Sequence, residues 1–383
     1  MKKYITFGSP LIENEEINSV IKCLKSGWIG TGPKVQEFEK NFSKYKNINN
    51  SIAVNSCTAA LHLSLKSLNL KKTDEVITSA LTFCSTVNSI ILSGAKPVLA
   101  DVDFNSQNID PEDIVKKINK NTKAIVIVHF AGRPCDMDTI IKIVKKYKLF
   151  LIEDCAHAIE SQYNDKHCGT FGIYGCFSFY ATKNLVTAEG GMIITNRDKK
   201  VKKLKQLALH GMSKDAWRRY NDKGYKHYNV IDLGFKYNMT DIQASLGVEQ
   251  LKKIDLLWIK RKKIWNIYNN FFKDLNVIIP SKVESNMKHA YHLYTILISK
   301  KVNGMHRDVF LKKMHDFGIG TGVHYRSIPS HSFYKKKYGW IKKNFKNASQ
   351  IGDQTVSIPL SAKLNNEDID RIVTTSERIL KNA

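Results

Sequence analysis

Acid, arginine and long apolar runs are all scarce in this 383-residue sequence. Only 35 Asp and Glu stand against 60 Lys and Arg, leaving a net charge of +25, yet nine of the basic residues are arginine and the lysines are scattered along the chain. No arginine-rich stripe exists to read nucleic acid, so no nucleic-acid partner is expected; a positive field would still draw in a ligand carrying phosphates. No segment approaches the roughly 18 consecutive apolar residues of a membrane span. The opening MKKYITFGSP turns polar before a signal-peptide core can form, so a cytoplasmic protein without a membrane partner is expected. The seven cysteines are odd in number and show no C-x2-C spacing, which argues against a disulfide framework or a metal site and for free thiols.

What is present is ordinary globular composition, 43% hydrophobic and 25% charged, in a chain long enough for one large domain and one smaller. Between residues 51 and 196 short apolar segments alternate with helical patterns: SIAV, EVIT, PVLADV, AIVIVH, FLIED, CFSFY and MIIT. Most are continuous rather than alternating, as strands of a mainly parallel sheet covered on both faces must be. The fold class is therefore α/β, and ligands of such sheets sit at the carboxyl ends of the strands. Asn55, Asp101, His129, Asp154 and Tyr180 fall at or just beyond those ends.

Outside the series, a helix is expected from Asn14 to about Lys25, stopped by Gly27, and another helical stretch ends at Gly211. A polar loop follows from Met212 to about Tyr228. A long helical pattern from about Thr240 to Phe272 leads to strands near HLYTILIS and GIGTGVHY and a terminal helix from about Asn366. The expected boundary divides a large domain, 1–255, from a small C-terminal one, 256–383.

Ser178 to Gly191, SFYATKNLVTAEGG, carries an isolated lysine after a short apolar strand and a glycine pair beyond it. Lys183 paired with Asp154, the acid ending FLIED, suggests pyridoxal phosphate chemistry: an amine must condense with the cofactor aldehyde, and a carboxylate must keep the ring nitrogen protonated. Taken singly, each is as easily a surface lysine or a helix cap. The small residues of NSCTAALH open a helix whose free amides suit a phosphate, with Cys57 and Thr58 as backbone donors, Thr58 and Ser178 adding hydroxyls. Phe83 is a candidate to stack on the pyridine face, or else a core residue.

With these residues in place the chain resembles the DegT/DnrJ/EryC1/StrS family of sugar aminotransferases. The resemblance runs through SGWIGTGPKVQEFE, AVNSCTAALH, DEVITSALTF, GAKPVLADVD, HFAGRPCDMD, IEDCAHA, FSFYATKNLVTAEGGMI, YNMTDIQASLG and IPL. ALHGMSKDAW, HAYHLYTI and GIGTGVHYR are most similar to the branch that makes UDP-4-amino-4-deoxy-L-arabinose. The resemblance implies a fold-type I pyridoxal phosphate enzyme, with a mainly parallel seven-stranded sheet flanked by helices and a smaller α+β domain. It implies a homodimer with shared active sites, Lys183 as the Schiff-base lysine, Asp154 as the pyridine partner, and Ser178, Cys57 and Thr58 as the phosphate cup. His157 would lie near the ring hydroxyl, and Asn238 would reach the phosphate from the other subunit or cap a helix before Thr240. Substrate contacts are expected at Thr31, Arg326 and His331, with Arg133, Arg218 and Arg219 as further candidates. Phe83 replaces the tryptophan typical of the arabinose branch, and Cys57 replaces Gly or Ala. Lysine at 183, where the dehydratase branch has histidine, favours transamination. L-glutamate is the expected donor, with 2-oxoglutarate as its product. The acceptor is a UDP-linked 4-keto-sugar, or alternatively a dTDP- or GDP-linked 4-keto-6-deoxy-sugar or 3-keto-sugar.

Overall fold

A computed structural model describes residues 3–213 and 227–381. Helix α1 (Asn14–Lys25) opens with a capping box in which Glu13 and Glu16 satisfy each other's amides, and α2 (Pro33–Lys46) starts on a proline, whose missing N–H costs nothing there. The central series follows: β1 (Asn50–Val54), α3 (Cys57–Lys66), β2 (Glu75–Ser79), α4 (Cys84–Ser93), β3 (Lys96–Ala100), α5 (Pro111–Lys117), β4 (Thr122–Val128), α6 (Met137–Tyr147) and β5 (Phe150–Asp154). A two-strand excursion, β6 (Gln162–Tyr163) and β7 (Lys166–His167), precedes β8 (Tyr174–Ser178), β9 (Gly191–Thr195) and α7 (Asp198–Ala208).

Seven of these strands form one sheet in the order β1-β9-β8-β5-β4-β2-β3. The β2–β3, β2–β4, β4–β5 and β5–β8 pairs are parallel, while β9 runs against both β8 and β1. Six strands thus point the same way and only β9 is reversed. Both faces are covered, which explains the unbroken apolar runs. Ile52, Val54, Val126, Ile152 and Ile193 pack with α3 and α7, whereas their strand neighbours Ala53, Ile125, Ile127, Leu151 and Ile194 meet α2 and α8 or α5 and α6.

The expected continuous helix from Thr240 to Phe272 is two helices, α8 (Asp241–Lys252) and α9 (Ile254–Phe272). Lys253 leaves helical geometry between them, and its ammonium pairs with Glu13 and the fully buried Glu16 at the start of α1. Periodicity alone cannot reveal such a break, because α9 resumes one residue later. Helix α9 starts in the sheet's core at Ile254, then contributes Ile264, Trp265, Tyr268 and Phe272 to a second core. The remaining elements are β10 (Met287–Lys288), β11 (Tyr294–Leu297), α10 (Lys300–Asn303), α11 (Arg307–Asp316), α12 (Ser332–Tyr338), α13 (Lys346–Gln354), β12 (Thr355–Ile358) and α14 (Asn366–Lys381); α12 and α13 pack with Val87 and Leu99 of the sheet domain, while β11, β12, α11 and α14 build that second core. Ile5, near the amino terminus, joins it too. The strand expected at GIGTGVHY is absent: Ile319 bridges Ile5 and Gly322 bridges Ser357, and the chain then leaves for the sheet's carboxyl edge. The partner of β11 is instead β12, antiparallel.

Asp101, one of the strand-tip acids, holds structure rather than facing a site. Its carboxylate accepts from the amides of Asn347 (3.1 Å) and Ala348 (2.8 Å), filling donors that the first turn of α13 cannot satisfy itself. His129 is likewise enclosed, bonded to Glu153 at 3.1 Å and accepting from the Cys135 amide at 3.1 Å. Replacing Asp101 with Ala should cost about 1–2 kcal/mol, the usual effect of losing a helix cap. The thermal midpoint should fall by a few degrees while cofactor uptake persists, and Asp101→Asn should recover part of the loss; an unchanged midpoint for the alanine variant contradicts the assignment.

Candidate active site

The sheet's polarity collects one residue set in one place. A cavity of about 370 Å3 opens where β1, β2, β4, β5 and β8 end, lined in turn by Ser56 to Thr58, Thr82 and Phe83, Val128, Asp154 and Ser178. Because β9 is reversed, its amino end arrives at the same place and brings Glu189 and Gly190. Lys183, His157, Tyr180, Thr182, His324 and Tyr325 complete the lining. Larger surface hollows elsewhere, such as one of about 790 Å3 beside Phe317 and Arg371, share no residue with it.

At one end of the cavity is a helix start. Ser56 caps α3 by accepting from the Ala59 amide at 3.1 Å, which leaves the amides of Cys57 and Thr58 with no acceptor among the described residues. Gly191 permits this geometry, since a Cβ there would sit 2.4 Å from the carbonyl carbon of Ser56. Two orphan amides on a helix dipole are an anion site.

Asp154 lines the same cavity and is only 3% exposed. It accepts from the Thr86 hydroxyl at 2.9 Å and the Ala156 amide at 3.1 Å, and Thr86 is itself bonded to Thr82 at 2.8 Å. Burial pushes its carboxyl pKa up, while these hydrogen bonds and the Lys183 charge hold it down. The Cys57 thiol points at the same carboxylate, 3.9 Å from Oδ1. Cys57 therefore reaches the acid as well as presenting a backbone donor, a second contact that a reading of backbone chemistry alone missed.

Lys183 closes a turn through its amide to the Tyr180 carbonyl at 2.8 Å. Its neighbour Asn184 is tied to Glu160 and the Ala290 carbonyl, both at 2.9 Å, and to His292 at 3.0 Å, so the backbone is pinned. The Lys183 amine has no hydrogen bond or ion pair among the described residues. Burial lowers it from 10.5 to about 8, against the pull of Cys57 and Asp154. An amine depressed in this way is far more often neutral, and nucleophilic, at neutral pH.

His157 accepts from the Ala131 amide at 3.2 Å and meets the Tyr325 hydroxyl at 2.9 Å. Phe83 is 54% exposed, its ring open to the cavity and 5.6 Å from that of Tyr325. Arg326 and His331 miss this cavity but line an adjoining hollow of about 640 Å3 with Cys84 and Asn88. Thr31 and Asn238 bond each other at 2.6 Å beside β1, outside the cavity lining. Asn238 is not the cap of α8, a task Thr240 performs. Arg133 is spent on structure, donating to the carbonyls of Ser281 and Lys282 and to Glu284. Arg218 and Arg219 lie outside the described residues.

Residues 10–377 match the sequence profile of the DegT/DnrJ/EryC1/StrS aminotransferase family. The chain belongs to that family. Among its relatives, MJ1066 of Methanocaldococcus jannaschii, named as an uncharacterized protein, is 45% identical over 97% of this chain and 96% of that protein. The spore coat polysaccharide biosynthesis protein SpsC of Bacillus subtilis is 42% identical over 99% and 98%. Among solved structures, the putative sugar aminotransferase Spr1654 of Streptococcus pneumoniae in its PMP form superposes with a TM-score of 0.92 at 31% identity, covering 99% of each chain. Helicobacter pylori PseC, an aminotransferase involved in the biosynthesis of pseudoaminic acid, gives 0.92 at 29% identity over the whole of both.

Pyridoxal 5'-phosphate is the cofactor of this aminotransferase, and the cavity fits it on its own chemistry. Orphan amides suit the phosphate, a desolvated acid suits a protonated ring nitrogen, and an unpartnered amine lines the same cavity. Thr86, Tyr325 and His324 were missed from the sequence. Thr86 sits three residues after Phe83 in the first turn of α4, a spacing that carries both to one helix face. Nothing in the sequence pattern brings Tyr325 here. Because Lys183 must be neutral to attack, the rate of pyridoxal phosphate uptake by the cofactor-free aminotransferase should climb with pH and level off above about 8. A rate still climbing toward 10.5, the ordinary lysine value, contradicts the burial argument.

Proposed function

We propose that this protein moves an amino group from L-glutamate to a nucleotide-linked 4-keto-sugar, with UDP as the carrier, in the making of a surface polysaccharide or glycan. The observation that carries the reading is the convergence of Lys183, Asp154 and the α3 amides on one cavity. The sugar class is supported by the names of its relatives, SpsC, Spr1654 and PseC.

When bound, pyridoxal phosphate supplies a carbonyl carbon that takes the amino group and a ring that withdraws electrons from the carbon losing its proton. Lys183 would hold it, and its freed Nζ would serve as the base and acid that moves the proton of the amine-bearing carbon. A lowered pKa matches that two-way duty. Asp154 keeps a proton on the ring nitrogen, and Thr82 and Thr86 hold the acid in place. Cys57, Thr58 and Ser178 would hold the phosphate, and Phe83 would stack on the ring. Arg326 and His331 meet the nucleotide sugar in the hollow adjoining the cavity. A homodimer brings Asn238 of one subunit to the phosphate at the site of its partner, and Thr31, bonded to Asn238, is a further sugar contact.

Lys183→Ala should lose both turnover and the visible absorbance of the bound cofactor, and Asp154→Asn should lower kcat by roughly 100- to 1,000-fold, the effect of removing a preorganised charge. Retention of both properties by the alanine variant rejects the Lys183 assignment. For the acceptor, UDP-, dTDP- and GDP-linked keto-sugars are offered to the glutamate-aminated enzyme. Return of the cofactor's original absorbance with the UDP-4-keto-sugar alone is expected, and a response confined to dTDP- or GDP-sugars moves the assignment to that class.

A further inference from the structure

A buried ion pair lies outside the cavity lining. Arg261, 3% exposed, is bonded to the fully buried Glu160. Both charges give up their water to meet, so a pair of this kind adds little stability over apolar side chains of similar size. Its further contact gives it a use. The other oxygen of Glu160 accepts from the side-chain amide of Asn184 at 2.9 Å, and Asn184 directly follows Lys183.

Every polar group of the Asn184 side chain is engaged. Its nitrogen donates to Glu160 Oε2 and to the Ala290 carbonyl, both at 2.9 Å, and neither of these can donate in return. Its oxygen is thereby turned to His292 Nδ1 at 3.0 Å. Burial, with Lys183 nearby, holds the His292 pKa well below its usual value, so the ring is neutral and carries its one proton on Nδ1. A flipped amide would satisfy none of the three.

These partners come from separate parts of the fold. Glu160 follows β5 and is gripped by α9 through Arg261, which stands between Ile254 in the sheet's core and Ile264 in the second core. Ala290 and His292 lie on the segment that leads into β11. Since the Lys183 amine has no bond of its own, its place is set through its backbone, held by the Tyr180 carbonyl on one side and by Asn184 on the other.

We propose that Asn184 and Glu160 are positioning residues for Lys183, with Arg261 fixing Glu160, so that the amine is aimed from the junction of the two cores. This rests on the reading that Lys183 carries pyridoxal phosphate. A displacement of about 1 Å at a reacting atom slows attack by roughly 100-fold, so small shifts of this backbone matter.

Replacing one member of the pair strands a buried charge, so both are changed together. E160L/R261M makes the pair apolar and removes the acceptor of Asn184, whereas E160Q/R261Q removes the charges and leaves an amide oxygen for it. Each full-length protein, stripped of cofactor, is mixed with saturating pyridoxal phosphate, and the rate at which the visible absorbance grows is read. Pyridoxamine phosphate has no carbonyl for Lys183 to attack, and its affinity reports the pocket alone. E160L/R261M should capture pyridoxal phosphate about 10- to 100-fold more slowly and bind pyridoxamine phosphate as the wild type does. E160Q/R261Q should recover most of the rate. Asn184→Ala should be slow as well, and E160L/R261M added to it should slow it no further, because Glu160 acts only through Asn184.

Wild-type capture by E160L/R261M overturns the proposal, and so do equally slow rates in the two paired variants, which make charge rather than the Asn184 bond the cause. A loss of pyridoxamine phosphate affinity that matches the loss of rate also overturns it, as general damage to the pocket. Further slowing of Asn184→Ala by E160L/R261M does the same, by giving Glu160 another route. If E160L/R261M does not fold, Asn184→Ala carries the test: slow capture at unchanged pyridoxamine phosphate affinity is expected, and wild-type capture overturns the proposal. A wild-type protein that holds pyridoxamine phosphate but never gains the absorbance is a different result, which rejects Lys183 as the anchor instead.

Discussion

A carboxylate buried at the end of a central strand is the constraint around which this site is arranged. Taken out of water, Asp154 remains charged only through what surrounds it: the Thr86 hydroxyl, the Ala156 amide and the nearby Lys183 amine. Those partners compensate it incompletely, and a cation delivered by a ligand would complete the balance. The same desolvation acts in reverse on Lys183, whose charged form it disfavours. One pocket thus prepares an acid that seeks a positive ring and an amine that sheds its proton, through the burial of both.

The sheet assembles that pocket. Six co-directional strands send their carboxyl ends to one edge, and the reversed β9 adds its amino end there, where Gly191 lets it pass against the Ser56 turn. Cores on both faces fix the strands, so the tips are held by packing rather than by one another. The C-terminal unit contributes differently. To the cavity lining it contributes His324 and Tyr325, on a non-strand segment, and Asp101 ties α13 back to the sheet. No helix among the described residues is long and apolar enough to cross a membrane.

Much of this was legible in the sequence for a physical reason. A buried parallel strand needs a continuous apolar run, and the residue after the run must stand at the ligand edge, so Asp154, Ser178 and the Ser56–Thr58 turn followed from local pattern. Asp101 and His129 obeyed the same rule and yet serve structure, because strand position does not say whether a polar group is consumed by a neighbouring helix or an adjacent acid. Arg133 was lost as a substrate candidate in the same way. Tyr325, the break at Lys253 and the pairing of β11 with β12 depend on contacts between distant segments, which composition and periodicity do not encode.

The central claim is that one amine among 51 lysines is made reactive by its surroundings. Reduction of the cofactor-loaded protein with borohydride, followed by proteolysis and mass spectrometry, tests this most directly. The account predicts a single pyridoxyl adduct, on the peptide containing Lys183. Adduct spread over surface lysines, or settled on any one other lysine, would contradict it.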